Sequence, residues 1–502
     1  MRTRYIAYYI WIVIALLGVV CWIVPEDGWN IGGYNLRFPT LAEALDMNDG
    51  EAMNDGEAVI VGETVSDGEA VIAGEAVSAG EAVNVGEAVS VGEAGIVGEA
   101  VIVGEAVSVG EAVNDGEAVN DGEAVSVGEE SKGVINYLSA FYQALDSAAN
   151  MPVRIIHYGD SQIEEDRMSN YLRAALQEKF GGYGVGLLPA IQSIPSISIG
   201  QKCNKSLNRY LVYGTSKMRM DGRNYGPLGQ TAKLTDEATF TFQRRNYSKT
   251  RENTKYFNKI TILLDEIERD VTATINAEGY SDTKNSTDEG TMITFDLPDS
   301  ISEASISLKG KALIHGFMVD GTDTGVQLDN VAMRGCSGTV FTSINANSLE
   351  DYYSKNTVSL IILQFGGNSV PYTKSNAAII SYCEQLLRQI EYFREISPES
   401  LILFIGPSDM STNQNGRMET YEHLPKLVNT LRNMCVTNGV AYWDLYKAMG
   451  GKNSMVEWVK MNPPLAGSDY IHFTHRGADY ASQMLWEGLM EVYELYEMST
   501  VN

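Results

Sequence analysis

Arg154-Ile-Ile-His-Tyr-Gly-Asp-Ser-Gln162 decides the fold. Its first five residues read as a buried β-strand. Gly159-Asp160-Ser161 reads as a sharp turn into a helix, whose period shows in Met168, Tyr171, Leu172, Ala175 and Leu176. A serine at such a turn stands at the C-terminal edge of a sheet, beside the unpaired N–H groups of a helix N-terminus. Open α/β sheets bind their ligands at that edge. Ser161 is therefore the candidate nucleophile.

Downstream, Thr357-Val-Ser-Leu-Ile-Ile-Leu-Gln364 is a continuous apolar run, as expected of a central parallel strand covered on both faces. A helix is expected over Ala377–Ile396, a strand over Leu401–Ile405, a helix over Thr420–Asn438 and a strand over Val440–Trp443. A last helix runs to about Met498, and one over Gly133–Asn150 precedes the first strand. Strands alternating with helices predict a three-layer α/β/α, doubly wound domain. Between 195 and 320 the pattern changes to seven short alternating runs, which predict an inserted β-sandwich or jelly roll. Substrate recognition and a structural packing or lid role both fit that insertion.

A serine nucleophile needs a general base and a group that orients the base. The chain has five histidines. His157 lies within the first strand, His315 in the insertion and His423 at a helix start, which leaves His472 and His475 in the last polar loop. Asp469 precedes His472 by three residues, so one turn can present both side chains, and His472 is favoured over His475.

These blocks resemble the SGNH (GDSL-type) hydrolase superfamily: Gly159-Asp160-Ser161, then Met333-Arg-Gly-Cys-Ser-Gly338, Gly366-Gly367-Asn368 and Asp469-Tyr-Ile-His472. The likeness covers roughly residues 150–500 apart from the insertion. It implies a flavodoxin-like fold, a Ser161–His472–Asp469 triad, and an oxyanion hole from the Ser161 and Gly335 N–H groups and the Asn368 amide. Gly338 rivals Gly335. Gln162 departs from the leucine of many members. His157-Tyr-Gly-Asp-Ser-Gln-Ile-Glu-Glu-Asp166 and Phe180-Gly-Gly-Tyr-Gly-Val-Gly-Leu-Leu-Pro189 resemble, more narrowly, bacterial peptidoglycan O-acetyl esterases, which carry a carbohydrate-binding-like β-sandwich at the same place. The resemblance implies an acetylated polysaccharide or peptidoglycan substrate, no cofactor and no metal. It leaves three readings open: an esterase, an O-acetyltransferase served by a membrane acetyl-donor partner, and a non-catalytic surface binding protein.

The N-terminal part supplies location. Arg2 and Arg4 precede an apolar run from Tyr5 to Val24, and Glu26 and Asp27 follow it. This is the pattern of a single-pass transmembrane anchor with the bulk of the chain outside the cytoplasmic membrane of a bacterium. A cleaved signal peptide is the alternative. From Gly50 to Gly128 a Gly-Glu-Ala-Val-x-x unit starts fourteen times. No Lys or Arg occurs from Phe38 to Glu130, and that tract holds −22 of the net charge of −28, leaving −6 for the rest. It reads either as a flexible acidic stalk or as a β-solenoid with three units per coil. The expected segments are thus 1–25 for the anchor, 26–49 juxtamembrane, 50–131 for the repeat stalk, 132–194 with 321–502 for the hydrolase domain, and 195–320 for the insertion. The absence of a basic patch excludes a nucleic-acid partner. The five scattered cysteines, without C-x-x-C spacing, form neither a disulfide framework nor a zinc site.

Overall fold

The computed structural model describes residues 29–31 and 34–36, short strands between 60 and 119, and residues 129–500 except 246–250 and 322. The run expected as an anchor lies outside the described residues. Among those described, no helix is long and apolar enough to cross a membrane.

Five strands form one parallel sheet: β1 (Pro152–Gly159), β2 (Gly325–Ala332), β3 (Val358–Gln364), β4 (Leu401–Ile405) and β5 (Ala441–Trp443). Their spatial order is β2-β1-β3-β4-β5, the flavodoxin-like order. The apolar runs follow from burial on both faces. Ile155, Leu360, Ile362, Leu403 and Ile405 pack into one core with α1 (Glu129–Asp146), α2 (Ser169–Phe180) and α6 (His475–Thr500). Ile156, Tyr158, Ile361, Leu363, Ile402 and Phe404 pack into the other, with α3 (Ala346–Lys355), α4 (Asn376–Ile396) and α5 (Leu424–Thr437). The strand order reverses between β1 and β3, so the crevice of the sheet opens between their C-terminal ends.

The helix expected directly after Ser161 begins only at Ser169. A 3-10 turn over Glu164–Asp166 intervenes, with Glu165 at φ +63° and Asp166 at φ +68°. Left-handed backbone is uncommon for such residues and has to be held in place. Here three successive carboxylates each face a different side chain: Glu164 the Arg334 guanidinium, Glu165 the His475 ring, and Asp166 the Arg173 guanidinium. The glycines after α2 do more than end it. A Cβ on Gly182, at φ +104°, would lie 2.6 Å from the Val326 carbonyl oxygen of β2.

The insertion differs from the expected seven short strands. It is one hydrogen-bonded antiparallel assembly of nine strands around its own apolar core. Two strands are long, Phe257–Ala277 and Glu303–Asp320, and each merges two of the expected runs. Their pairing shifts register between Asp265 and Thr272, which splits each strand into two apolar stretches in the sequence. Gly184–Pro189, on the hydrolase side of the expected boundary at 194, pairs with Glu303–Asp320 and so belongs to this sheet. Leu263 and Met318 pack into the core of the parallel-sheet domain, so the two regions share apolar contact. A buried ion cluster joins them as well. Arg154 of β1 donates to Asp329 of β2 at 2.7 and 2.9 Å and to Asp320 of the insertion at 2.5 Å.

In the repeat the backbone forms short parallel strands. Ala100 lies opposite Ala82, and Ala82 opposite Thr64, an offset of three units. That is the pairing a three-unit coil requires.

Candidate active site

The chemistry gathers at the C-terminal ends of β1 and β3 and in the loop before α6. The Ser161 hydroxyl lies 2.8 Å from His472 Nε2. On the other side of the ring, His472 Nδ1 lies 2.7 Å from Asp469 Oδ2. With the Nδ1 proton donated to the carboxylate, Nε2 keeps its lone pair for the Ser161 proton. Asp469 Oδ1 accepts the backbone N–H groups of Ile471 and His472, both at 3.1 Å, so one short turn carries both the acid and the base. Partial burial pushes the Asp469 carboxyl up, but hydrogen bonds from the His472 ring and from these amides outweigh it and hold it below the usual carboxylate range.

The other histidines are placed elsewhere. His157 is buried between Gln364 and Ser169, and burial lowers its pKa to about 4. His315 is buried in the insertion, 3.2 Å from Asp265. His423 caps α5. His475 opens α6 and faces Glu165 at 3.4 Å rather than Ser161.

Asn368 stands on the turn after β3. Its amide donates to Asp160 Oδ2 at 2.9 Å and to the Cys336 carbonyl at 3.1 Å. This bond draws the 333–338 loop to the serine turn. Asp160 Oδ1 accepts the Gln162 N–H at 2.9 Å, closing the turn around Ser161. Burial raises Asp160 to about 6 against those hydrogen bonds. The two rival glycines differ. Gly338 donates its N–H to Cys336 Sγ at 3.3 Å, and its face is packed against the Phe365 ring. Gly335, at φ +74°, faces open space, and its N–H meets no acceptor among the described residues.

Two functional residues escaped the sequence reading. Gln162 clamps the backbone on both sides of His472: its Nε2 donates to the Ile471 carbonyl at 2.6 Å, and its Oε1 accepts the Phe473 N–H at 3.2 Å. The departure from leucine was the only signal. Arg167 ties the same two loops, donating to the carbonyls of Ser161 at 2.5 Å and Phe473 at 2.9 Å. Nothing in the local pattern marks it.

The cleft over Ser161 has a volume of about 220 Å³ and runs between Asn368, Pro407, Ile471 and the exposed Tyr372. A larger cavity, about 410 Å³, lies beyond the Glu164–Asp166 turn, between the hydrolase domain and the insertion.

No protein-family model and no curated protein matches the chain. Among solved structures, one described as a peptidoglycan O-acetylesterase in action aligns over 72% of this chain and 96% of its own, at 19% identity and a TM-score of 0.55. The chain has the fold of that esterase. At that identity the likeness is one of fold. A carbohydrate esterase family 2 enzyme from Corynascus thermopiles is similar at 11% identity over 52% of this chain and 95% of its own, with a TM-score of 0.24. A GDSL-like lipase from Parabacteroides merdae is similar at 14% identity over 34% and 74%, also with a TM-score of 0.24. Those two scores add no weight.

Proposed function

We propose that this protein is a serine esterase that removes O-acetyl groups from a cell-envelope polysaccharide. The observation that carries the reading is the unbroken relay from Ser161 through His472 to Asp469. Ser161 Oγ attacks the acetyl carbonyl carbon while His472 Nε2 takes the hydroxyl proton. The tetrahedral oxyanion collapses, the sugar hydroxyl leaves with the proton returned by His472, and the acetyl group remains on Ser161. Water, activated by the same imidazole, then releases acetate.

In this reading the backbone N–H groups of Ser161 and Gly335 donate to the oxyanion; that of Gly335 meets no acceptor among the described residues, and Gly335 itself stands outside the lining of the cleft over Ser161. Asn368 already holds two acceptors, so an oxyanion would share one of its N–H bonds. One such donor is typically worth about 10²–10³ in rate. Arg2, Arg4 and the apolar run to Val24 support a membrane anchor, with the acidic repeat as a stalk that carries the esterase outside the cytoplasmic membrane.

The test is product analysis. The full chain, in detergent or vesicles, is incubated with O-acetylated peptidoglycan and exopolysaccharide fractions, with and without a sugar acceptor. Free acetate in step with loss of glycan ester supports the reading. Acetyl transfer to the acceptor without acetate release would make the protein a transferase, and no change in either would leave it without this activity.

A further inference from the structure

The cavity of about 410 Å³ beside the serine turn takes no part in the relay, yet it adjoins it. Glu164 donates its N–H to the Ser161 carbonyl, and Arg334 directly precedes Gly335. Its wall has two halves. Glu164, Asp166, Arg173 and Arg334 come from the hydrolase domain, and Arg209, Tyr213 and Gln230 from the insertion. Leu187, Leu188 and Leu228 give it apolar surface.

Its three arginines are not equivalent. Arg173 holds the Asp166 carboxylate at 2.7 and 2.9 Å. Arg334 holds Glu164. Arg209 has no carboxylate within ion-pair distance among the described residues. Its Nε donates to Gln230 Oε1 at 2.8 Å, Nη1 to Ser193 Oγ, and Tyr213 is a further neutral partner. A guanidinium has five N–H donors, and these three neutral groups do not exhaust them. Burial disfavours its charge, so an incoming anion would recover what desolvation costs. The remaining carboxylate of the lining, Glu165, is drawn towards His475.

We infer that this cavity is a glycan subsite and that Arg209 receives the carboxylate of an acidic sugar unit adjoining the acetylated one. The inference rests on the polysaccharide reading above and narrows it to acidic glycans. The apolar surface would face the sugar ring, and the insertion would supply selectivity while the hydrolase domain supplies the chemistry. A carboxylate on an arginine fork is a charge-assisted, bidentate contact, stronger than the hydrogen bonds a neutral sugar offers.

The test measures binding to the full chain by calorimetry, so it does not depend on turnover. The probes are a glucuronate-containing tetrasaccharide, a muramic-acid-containing disaccharide and neutral xylotetraose, each without acetyl groups. The expected result is that at least one acidic probe binds about tenfold or more tightly than xylotetraose, that added salt erodes the difference, and that Arg209→Gln abolishes it. The two acidic probes separate a uronate from a lactyl carboxylate. Arg209→Lys keeps the charge without the fork and should bind at an intermediate level, and thermal unfolding of both variants reports whether they are folded. Equal binding of acidic and neutral probes, or a preference that survives Arg209→Gln in folded protein, overturns the inference. Hydrolysis of a small chromogenic acetyl ester by the wild-type chain is scored separately. Its absence would sink the esterase reading while leaving the binding result to stand on its own.

Discussion

The parallel sheet and the inserted antiparallel sheet handle their polar groups in opposite ways. In the parallel-sheet domain the strands are mainly apolar, their buried polar groups such as Arg154, His157 and Asp329 are paired inside the fold, and the candidate relay stands in the loops at one edge, where Ser161, Asn368, Asp469 and His472 meet. In the insertion polar side chains alternate along the strands themselves, and none belongs to the relay. Part of the lining of the larger cavity nevertheless comes from those strands, including Leu187, Leu188, Arg209 and Gln230. A buried parallel sheet can place reactive groups only beyond its strand ends. A half-exposed antiparallel sheet can present a recognition face along its length. The proposed division of labour between bond breaking and glycan reading would follow from that difference.

If the chemistry is confined to the edge loops, the largest effect comes from removing the base. His472→Ala should lower kcat on a small acetyl ester by about 10²–10⁴-fold, with the thermal midpoint nearly unchanged. A comparable loss from a substitution in the insertion would break the contrast.

The joint between the two regions ranks next. Arg154→Met leaves Asp320 and Asp329 without their cation in a buried place. It should cost about 3–5 kcal/mol of stability in denaturant unfolding. A loss under about 1 kcal/mol would mean that apolar contact alone joins the regions.

Titration tests the edge loops again. Burial raises both Asp160 and Asp409 to about 6. The folded chain therefore holds these protons more tightly than the unfolded chain, whose carboxyls titrate near 3.9. Stability should rise as pH falls from about 6 to about 4, by an amount on the order of 2–3 kcal/mol for each carboxyl, and Asp409→Asn should remove its share. Activity should move the other way, since protonation of Asp160 takes away the charged acceptor of Asn368. Denaturant midpoints and kcat measured across that window give both signs.

The smallest effect sharpens the comparison most finely. Gln162→Leu keeps the volume but unpairs the Ile471 carbonyl and the Phe473 N–H that flank the base. The loss of these two bonds, together with that to the Ser408 hydroxyl at 3.3 Å, predicts about a tenfold fall in kcat, with KM held. A fall in KM or thermal midpoint with kcat intact would make Gln162 a packing residue only.

The same contrast governs what could be read from the sequence. Parallel strands are short, mostly apolar and bounded by turns, so β1, β3 and β4 emerge within a residue or two of their expected limits. The relay was legible because Asp469 and His472 share one turn, and because elimination among five histidines left only that loop. The insertion was not legible in its lengths. The register shift between Asp265 and Thr272 splits a 21-residue strand into two apparent ones. The late start of α2 was hidden too, because Glu164, Glu165 and Asp166 suit a helix locally, while two of them are engaged by partners distant in sequence, Arg334 and His475. Arg167 and Arg209 act through partners that only the fold brings near.

The central claim is that Ser161 carries the acyl group. The direct measurement mixes wild-type chain with a chromogenic acetyl ester, quenches it during turnover, and maps any added acetyl group by peptide mass, with Ser161→Ala run in parallel. The account predicts acetylation at Ser161, together with a loss of turnover on the order of 10⁴-fold in the variant. Equal turnover by the two proteins, or an acetyl group mapped to another residue in step with catalysis, would contradict it.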